Sequence, residues 1–328
     1  MNRFLTSPAQ LVLLGLLVTS CNTADPDFSA PTILERITFS ASRQYPEGIT
    51  FSSRLDKFLV SSITQGKVGT VDQNGRYEDF IKDDPMLISA IGMKIWGNQL
   101  YVCNGDQGVS VKSTDKTALK TAGLFIYDLT TGQNIRHIDL AALVPGVNHF
   151  ANDLAFDPEG NAYVTDSFAP IIYKVPADAN QLAFKFVESP LFTGTGVNLN
   201  GIVYHPEKFL IVSKANEGKL FKIDLATSTI TEITGVNLPS GDGMLLFNND
   251  LYVVNNRKRV TQLRSTDSWK TATIVKSDSL GYDQATTNVL VGDQIYTLNA
   301  RIGEVSAAVA AKNPAQLQAS EYSIQQFK

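Results

Sequence analysis

A chain of 328 residues that is 43% hydrophobic and 18% charged has material for a soluble core, in one large domain or two ordinary ones. Its net charge of −4 and lack of a basic stripe give no support to nucleic-acid binding. Two cysteines cannot build a disulfide framework.

The N-terminus has a short positive start, Met1-Asn-Arg3, then an apolar run from Leu11 to Val18 and the small residues Thr19-Ser20 before Cys21. The run is too short to span a membrane, which takes roughly 20 apolar residues, but it suits a secretory signal. Val18-Thr19-Ser20-Cys21 resembles the bacterial lipobox, where cleavage leaves the cysteine as a lipid-modified N-terminus. The expectation is a signal peptide over 1–21, a polar Pro-containing tether over 22–36, and a domain over 37–328. That domain would be lipid-anchored in a bacterial cell envelope, outside the cytoplasm, touching the membrane only through Cys21. An ordinary secreted protein with an accidental cysteine is the alternative. Cys103, in the apolar run Leu100-Tyr-Val-Cys103, reads as a buried inert thiol.

From Ile37 onward, short runs rich in Val, Ile, Phe and Tyr alternate with Gly, Asn, Asp and Pro turns, with no long stretch of helical period. One unit recurs: a small residue, an apolar strand, a turn, and a second strand ending near Tyr or Val. It begins at Gly48, Gly92, Asp153, Gly201, Gly243 and Thr287, at spacings of 44, 61, 48, 42 and 44 residues. Third strands follow, as in Gly123-Leu-Phe-Ile-Tyr-Asp128 and Gly218-Lys-Leu-Phe-Lys-Ile-Asp224. A period in the forties with about four strands per unit predicts an all-β, six-bladed β-propeller. The long spacing contains a polar insertion from Asp106 to Ala122, expected as a loop on one face and either a lid over the channel or a plain surface loop. The cluster Arg257-Lys-Arg259 follows a strand and reads as a solvated turn.

The residues just before the six anchors are Glu47, Ile91, Asn152, Asn200, Asp242 and Thr286. In a propeller the innermost strands line the channel, so this phase forms a ring at its mouth. Glu47, Asn152, Asn200 and Asp242 would then aim hard oxygen ligands at one spot, in a set that suits Ca²⁺ better than Zn²⁺. Two carboxylates brought together would repel without a cation. Asn or Asp before a small residue is also an ordinary turn former, so the inference rests on all four sharing one phase.

Tyr45-Pro-Glu47-Gly, Phe150-Ala-Asn152-Asp, Leu199-Asn200-Gly and Gly241-Asp242-Gly resemble the blade signatures of the gluconolactonase/regucalcin superfamily of six-bladed propellers. Diisopropylfluorophosphatase-like hydrolases share that ligand pattern. The resemblance implies one catalytic divalent cation, usually Ca²⁺, held by Glu47, Asn200 and Asp242, with Asn152 a fourth ligand or a substrate-orienting amide. Sugar lactonases of the family often carry Arg two residues before that Asn; here Phe150 stands there, which argues for a more hydrophobic lactone or ester.

Such a site would run metal-assisted hydrolysis of a small-molecule lactone or ester, and the chain is expected to act as a monomer. Asp242 is the first candidate for general base or nucleophile and His149 the second, with Asn152 beside them. Asp166 and Asp283 lie near strand ends that could border the pocket, while His137 and His205 have no evident partners. No Gly-x-Ser-x-Gly elbow, His-Glu-x-x-His signature or phosphate-cradling loop is present. The competing readings are an envelope-anchored propeller that only binds a ligand or protein partner, and a metal-free strictosidine-synthase-like propeller.

Overall fold

The computed structural model describes Met1 and residues 34–82 and 84–328. The signal peptide, the lipobox and nearly all of the tether therefore lie outside the described residues. A compact unit runs from Leu34 to Lys328, and its first strand begins at Arg36, one residue before the boundary read from sequence.

Among the described residues, twenty-four strands follow one another almost without interruption. After β1 (Arg36–Ser40) come four-stranded antiparallel meanders. The first is β2 (Ile49–Ser52), β3 (Lys57–Val60), β4 (Val68–Val71) and β5 (Tyr77–Ile81). The second is β6 (Ser89–Trp96), β7 (Gln99–Gly105), β8 (Lys120–Asp128) and β9 (Asn134–Asp139). The third is β10 (His149–Phe156), β11 (Ala162–Asp166), β12 (Ile171–Val175) and β13 (Phe184–Glu188). Next are β14 (Leu199–His205), β15 (Phe209–Lys214), β16 (Lys219–Asp224) and β17 (Ile230–Ile233). Then follow β18 (Met244–Phe247), β19 (Asp250–Asn255), β20 (Arg259–Arg264) and β21 (Thr273–Asp278). The chain ends with β22 (Ala285–Val291), β23 (Gln294–Asn299) and β24 (Glu321–Gln326), to which β1 adds antiparallel, with Arg36 opposite Gln325.

The arrangement is propeller-like: β2, β6, β10, β14, β18 and β22 contact one another in cyclic order, and β22 returns to β2. The expectation of six blades needs correction, because among the described residues there are four separate four-stranded sheets and one of eight strands. The reason lies in the insertion. It delivers the chain to Lys120 and Thr121, which extend β8 far enough to pair in parallel with His149 and Phe150 of β10. The insertion itself is tied down. Asp106 accepts from Gly108 N (2.7 Å) and from the hydroxyls of Ser113 (2.6 Å) and Thr117 (2.7 Å), and Lys112 Nζ donates to the carbonyls of Gly66, Asp84 and Leu87.

The core is a series of apolar slabs between neighbouring sheets. Successive side chains of a strand point to opposite faces, so one strand feeds two slabs. In β15, Leu210 and Val212 pack towards the preceding sheet with Tyr163 and Ile172, while Phe209 and Ile211 pack towards the following one with Met244 and Val253. In β19, Leu251 and Val253 face one slab and Tyr252 and Val254 the next. Burial on both faces makes these strands read as continuous apolar runs rather than alternating ones.

Sequence periodicity missed one helix, α1 (Ile302–Ala311). It lies in the connection from β23 to β24, and the signal was the Ala-rich stretch Ala307-Ala-Val-Ala-Ala311, of high helix propensity. Among the described residues no helix is long and apolar enough to cross a membrane. Cys103 is free and fully buried, and burial first, with the charges of Asp153 and Glu47, pushes its thiol well up from the ordinary value.

Candidate metal centre

The strand pairing breaks at one phase throughout. In β6, β10, β14 and β22 the register shifts across Ile91-Gly92, Asn152-Asp153, Asn200-Gly201 and Thr286-Thr287. In the other two units the named strand starts only after Glu47-Gly48 and Asp242-Gly243. A bulge re-aims side chains and is common beside functional sites. Small anchor residues allow the innermost strands to crowd together: a Cβ on Gly48 would lie 2.2 Å from Ile91 O, and one on Gly243 would lie 1.9 Å from Thr287 Oγ1.

Hydroxyls on the second strands hold this backbone in place. Ser61 Oγ accepts from Glu47 N (3.0 Å) and Gly48 N (2.7 Å). Thr165 Oγ1 accepts from Asp153 N (3.2 Å) and donates to Asn200 O in the next unit (2.7 Å). Ser213 Oγ donates to Gly241 O (3.2 Å). These hydroxyls follow the valines Val60, Val164 and Val212, a signal legible in the sequence but not used in reading it.

Glu47, Asn152, Asn200 and Asp242 all line one cavity of about 290 Å³. Ile91, from the same phase, lines it as well. Thr286 instead turns its hydroxyl to Glu47 O (2.8 Å) and fastens the last unit to the first. Around the rest of the lining stand apolar Ile63, Phe150, Val197, Ala215, Ile302 and Val305, with polar Gln107, Asn216, Ser240, Arg257 and Ser306.

Asn152 Oδ1, Asn200 Oδ1 and Asp242 Oδ1 are buried without any hydrogen-bond partner. Buried polar atoms are overwhelmingly paired, so three orphaned oxygens on residues that line one cavity need a reason. Asn152 commits its Nδ2 to Ser167 Oγ (2.9 Å), which leaves its amide oxygen over. Burial pushes the Glu47 carboxyl well above the usual carboxylate range; the charges of Asp242 and Asp153 add to this and Lys94 partly offsets it. Asp242 is pushed up to about 7 by burial, against the opposing pull of the Asn200 amide and the Arg257 charge. Two carboxylates that resist ionisation beside unpaired amide oxygens form a donor set that fits a hard divalent cation. Among the described residues no group of three or more His, Cys, Asp or Glu side chains could hold a metal. The candidate set has only two carboxylates, its other donors being amides. Asp153, which sequence reasoning passed over as a mere anchor, lines a smaller void with Glu47, Asn200 and Lys94, and its carboxyl too is raised by burial.

His149 is not brought to the cavity. Its ring is buried, with Nδ1 2.7 Å from Asp166 Oδ2 and Nε2 2.8 Å from Val144 O. With both nitrogens engaged by acceptors and its ring outside the cavity lining, it is not placed as the base expected from the sequence. Burial works against protonation, but the Asp166 hydrogen bond and charge outweigh it and raise the imidazole pKa. Asp166 is equally committed, accepting also from the N–H groups of Phe150 (2.9 Å), Phe168 (3.1 Å) and Ala169 (3.0 Å) and from Tyr173 OH (3.2 Å). Asp283 borders a different cavity, with Arg36 and Arg301. His205 stacks on Phe209 at 4.3 Å, and the His137 ring lies tilted against Phe125 at 4.3 Å. Arg257 corrects the solvated-turn reading: it is half-buried, lines the cavity and donates from Nη2 to Ser306 Oγ (2.9 Å). No local signal marked it, because the turn meets the cavity only once the ring is closed.

No protein-family model matches the chain, and no curated protein matches it in sequence. Solved structures do match in fold. The major allergen Mala s 1 of Malassezia sympodialis is 16% identical at a TM-score of 0.69, over 90% of this chain and 96% of the other. A calcium-binding regucalcin from Agrobacterium tumefaciens is 17% identical at 0.60, over 88% and 94%. A gluconolactonase from Xanthomonas campestris is 13% identical at 0.59, over 89% of each chain. The fold is thus one shared by regucalcin and gluconolactonase; identities this low establish the fold alone.

Proposed function

We propose that this chain is a metal-dependent hydrolase of a lactone or ester, a member of the gluconolactonase/regucalcin superfamily. In this reading the eight-stranded sheet is two blades run together, which makes the fold a six-bladed propeller. Glu47, Asn152, Asn200 and Asp242 hold a Ca²⁺ ion, or another hard divalent cation, where they line the cavity. The observation that carries the proposal is the set of three buried, unpartnered oxygens on Asn152, Asn200 and Asp242. When bound, the cation supplies Lewis-acid polarisation of a carbonyl. Asp242 takes the proton of the attacking water on a carboxylate oxygen. Phe150, Ile63, Ile91, Ile302 and Val305 receive the apolar body of the substrate and keep bulk water away from it.

Likeness to proteins titled calcium-binding and gluconolactonase supports the reading. So does the cavity, since a purely structural ion is normally closed in by protein. The test is a panel of lactones and aryl esters offered to chelator-stripped protein with and without Ca²⁺, beside calorimetric Ca²⁺ titration. Turnover should require the metal and fall roughly 10²- to 10⁴-fold in Asp242→Asn. Full activity in that variant would sink the mechanism. Ca²⁺ binding with no turnover would favour a ligand- or protein-binding scaffold. The same proposal places a monomeric domain in a bacterial cell envelope through lipidated Cys21. Palmitate labelling that persists in Cys21→Ser would contradict the anchor.

A further inference from the structure

The cavity has two chemically different sides. One is apolar and rigid: the Phe150 ring packs 5.6 Å from the Phe168 ring, and lies so close to Gly105 that a Cβ there would meet it at 2.5 Å. Ile302 and Val305 of α1 add to the apolar lining. The other side carries Arg257, the one cationic side chain among the described residues that line the cavity. Arg257 is fixed by its backbone. Asn256 and Arg257 both adopt left-handed conformations, at φ 49° and 57°. Asn256 N donates to Pro239 O (2.7 Å), and Arg257 O accepts from Ala285 N (2.8 Å). A non-glycine residue such as Arg257 is strained there, and such positions persist only where the surroundings enforce them. The guanidinium is a planar fork of five N–H donors, and Nη2 already engages Ser306.

Charge counting gives this placement a direction. A divalent cation neutralises Glu47 and Asp242, the two carboxylates lining the cavity, and Arg257 then leaves one net positive charge. Resting on the metal-site reading above, we infer that the substrate is an ester or lactone with an apolar body that also carries a carboxylate. Arg257 receives that carboxylate while the body lies against Phe150 and α1. The anion-binding group thus comes from the turn between β19 and β20, not from the position Phe150 occupies. Arg257 is a specificity residue, and metal retention does not depend on it.

The test is calorimetric binding of 4-phenylbutyrate and of its neutral amide to the full chain loaded with Ca²⁺, in wild type, Arg257→Ala and Arg257→Lys. Wild type should prefer the carboxylate by roughly tenfold or more, as expected for a charge-assisted guanidinium contact. The preference should vanish in Arg257→Ala and partly return in Arg257→Lys, while amide affinity stays unchanged and Ca²⁺ binding is retained in all three, no weaker in Arg257→Ala because a neighbouring positive charge is gone. A carboxylate preference that survives Arg257→Ala would mean that the metal takes the anion, and would overturn the assignment. Equal affinity of wild type for acid and amide would overturn it too. Failure of the metal reading has a different signature, the absence of Ca²⁺ heat in wild type.

Discussion

Two buried polar clusters sit almost side by side on β10 and β11, and they are opposites. Around Asp166 both carboxylate oxygens are partnered, by three backbone N–H groups, His149 and Tyr173. Three residues along from His149, Asn152 Oδ1 has no partner, nor have Asn200 Oδ1 and Asp242 Oδ1. The first cluster is what a polar network looks like when it serves the fold: each group it buries is paid for by a bond. The second is destabilising as it stands and makes physical sense only with something bound. Perturbed ionisation alone does not separate them, since His149 and Asp242 are both shifted upward. Whether the hydrogen-bond partners are complete does.

The contrast can be broken most decisively at Asp166. Asp166→Ala strips partners from three N–H groups and from the imidazole, and should lower stability by about 3–5 kcal/mol in urea unfolding. Asp242→Asn in metal-free protein should lower it little or not at all, because it removes a carboxylate that already resists ionisation. Equal losses in the two variants would erase the distinction. Calcium gives the next largest effect. At a hundredfold excess over its dissociation constant it should stabilise wild type by about 2.7 kcal/mol, seen as a rise in melting temperature, and should leave Asp242→Asn unmoved. An unshifted wild type would remove the metal from the account.

The smallest effect is pH dependence at His149. Its folded pKa is raised, so its stabilising contribution is complete below the unfolded value of about 6.5 and is lost as pH climbs through the folded value. With calcium present, the stability gap between wild type and His149→Gln should therefore narrow as pH rises from 6 upward. A gap that widened would mean the buried ring is neutral.

Sequence reading went wrong at residues whose role depends on a distant partner. The phrase Phe150-Ala-Asn152-Asp made His149 look like a channel-mouth base, yet its ring turns to Asp166 and Val144. Arg257 looked like a solvated turn because it stands in the charged cluster Arg257-Lys-Arg259 after a strand, and its neighbours Asn256 and Lys258 are indeed exposed. Only α1, from the connection after β23, completes the wall that Arg257 meets at Ser306. The insertion after Asp106 read as a loop on one face, and nothing local said that its far end would carry β8 into register with β10.

What the sequence determined by itself was whatever repeats: strand after strand with both faces apolar, turns between them, and oxygen-bearing side chains at one phase of the period. Those features are local, and a period multiplies a weak local signal until it can be read. Tertiary structure alone decided which phase residues meet at the cavity and which, like Thr286, fasten the ring. It also decided which oxygens are left without partners and that Arg257 shares their cavity. These outcomes hang on closure of the ring, where β1 pairs with β24 and Thr286 reaches Glu47, residues separated by most of the chain. Pairings across such separations depend on the whole core being packed at once, and no window of sequence contains that information.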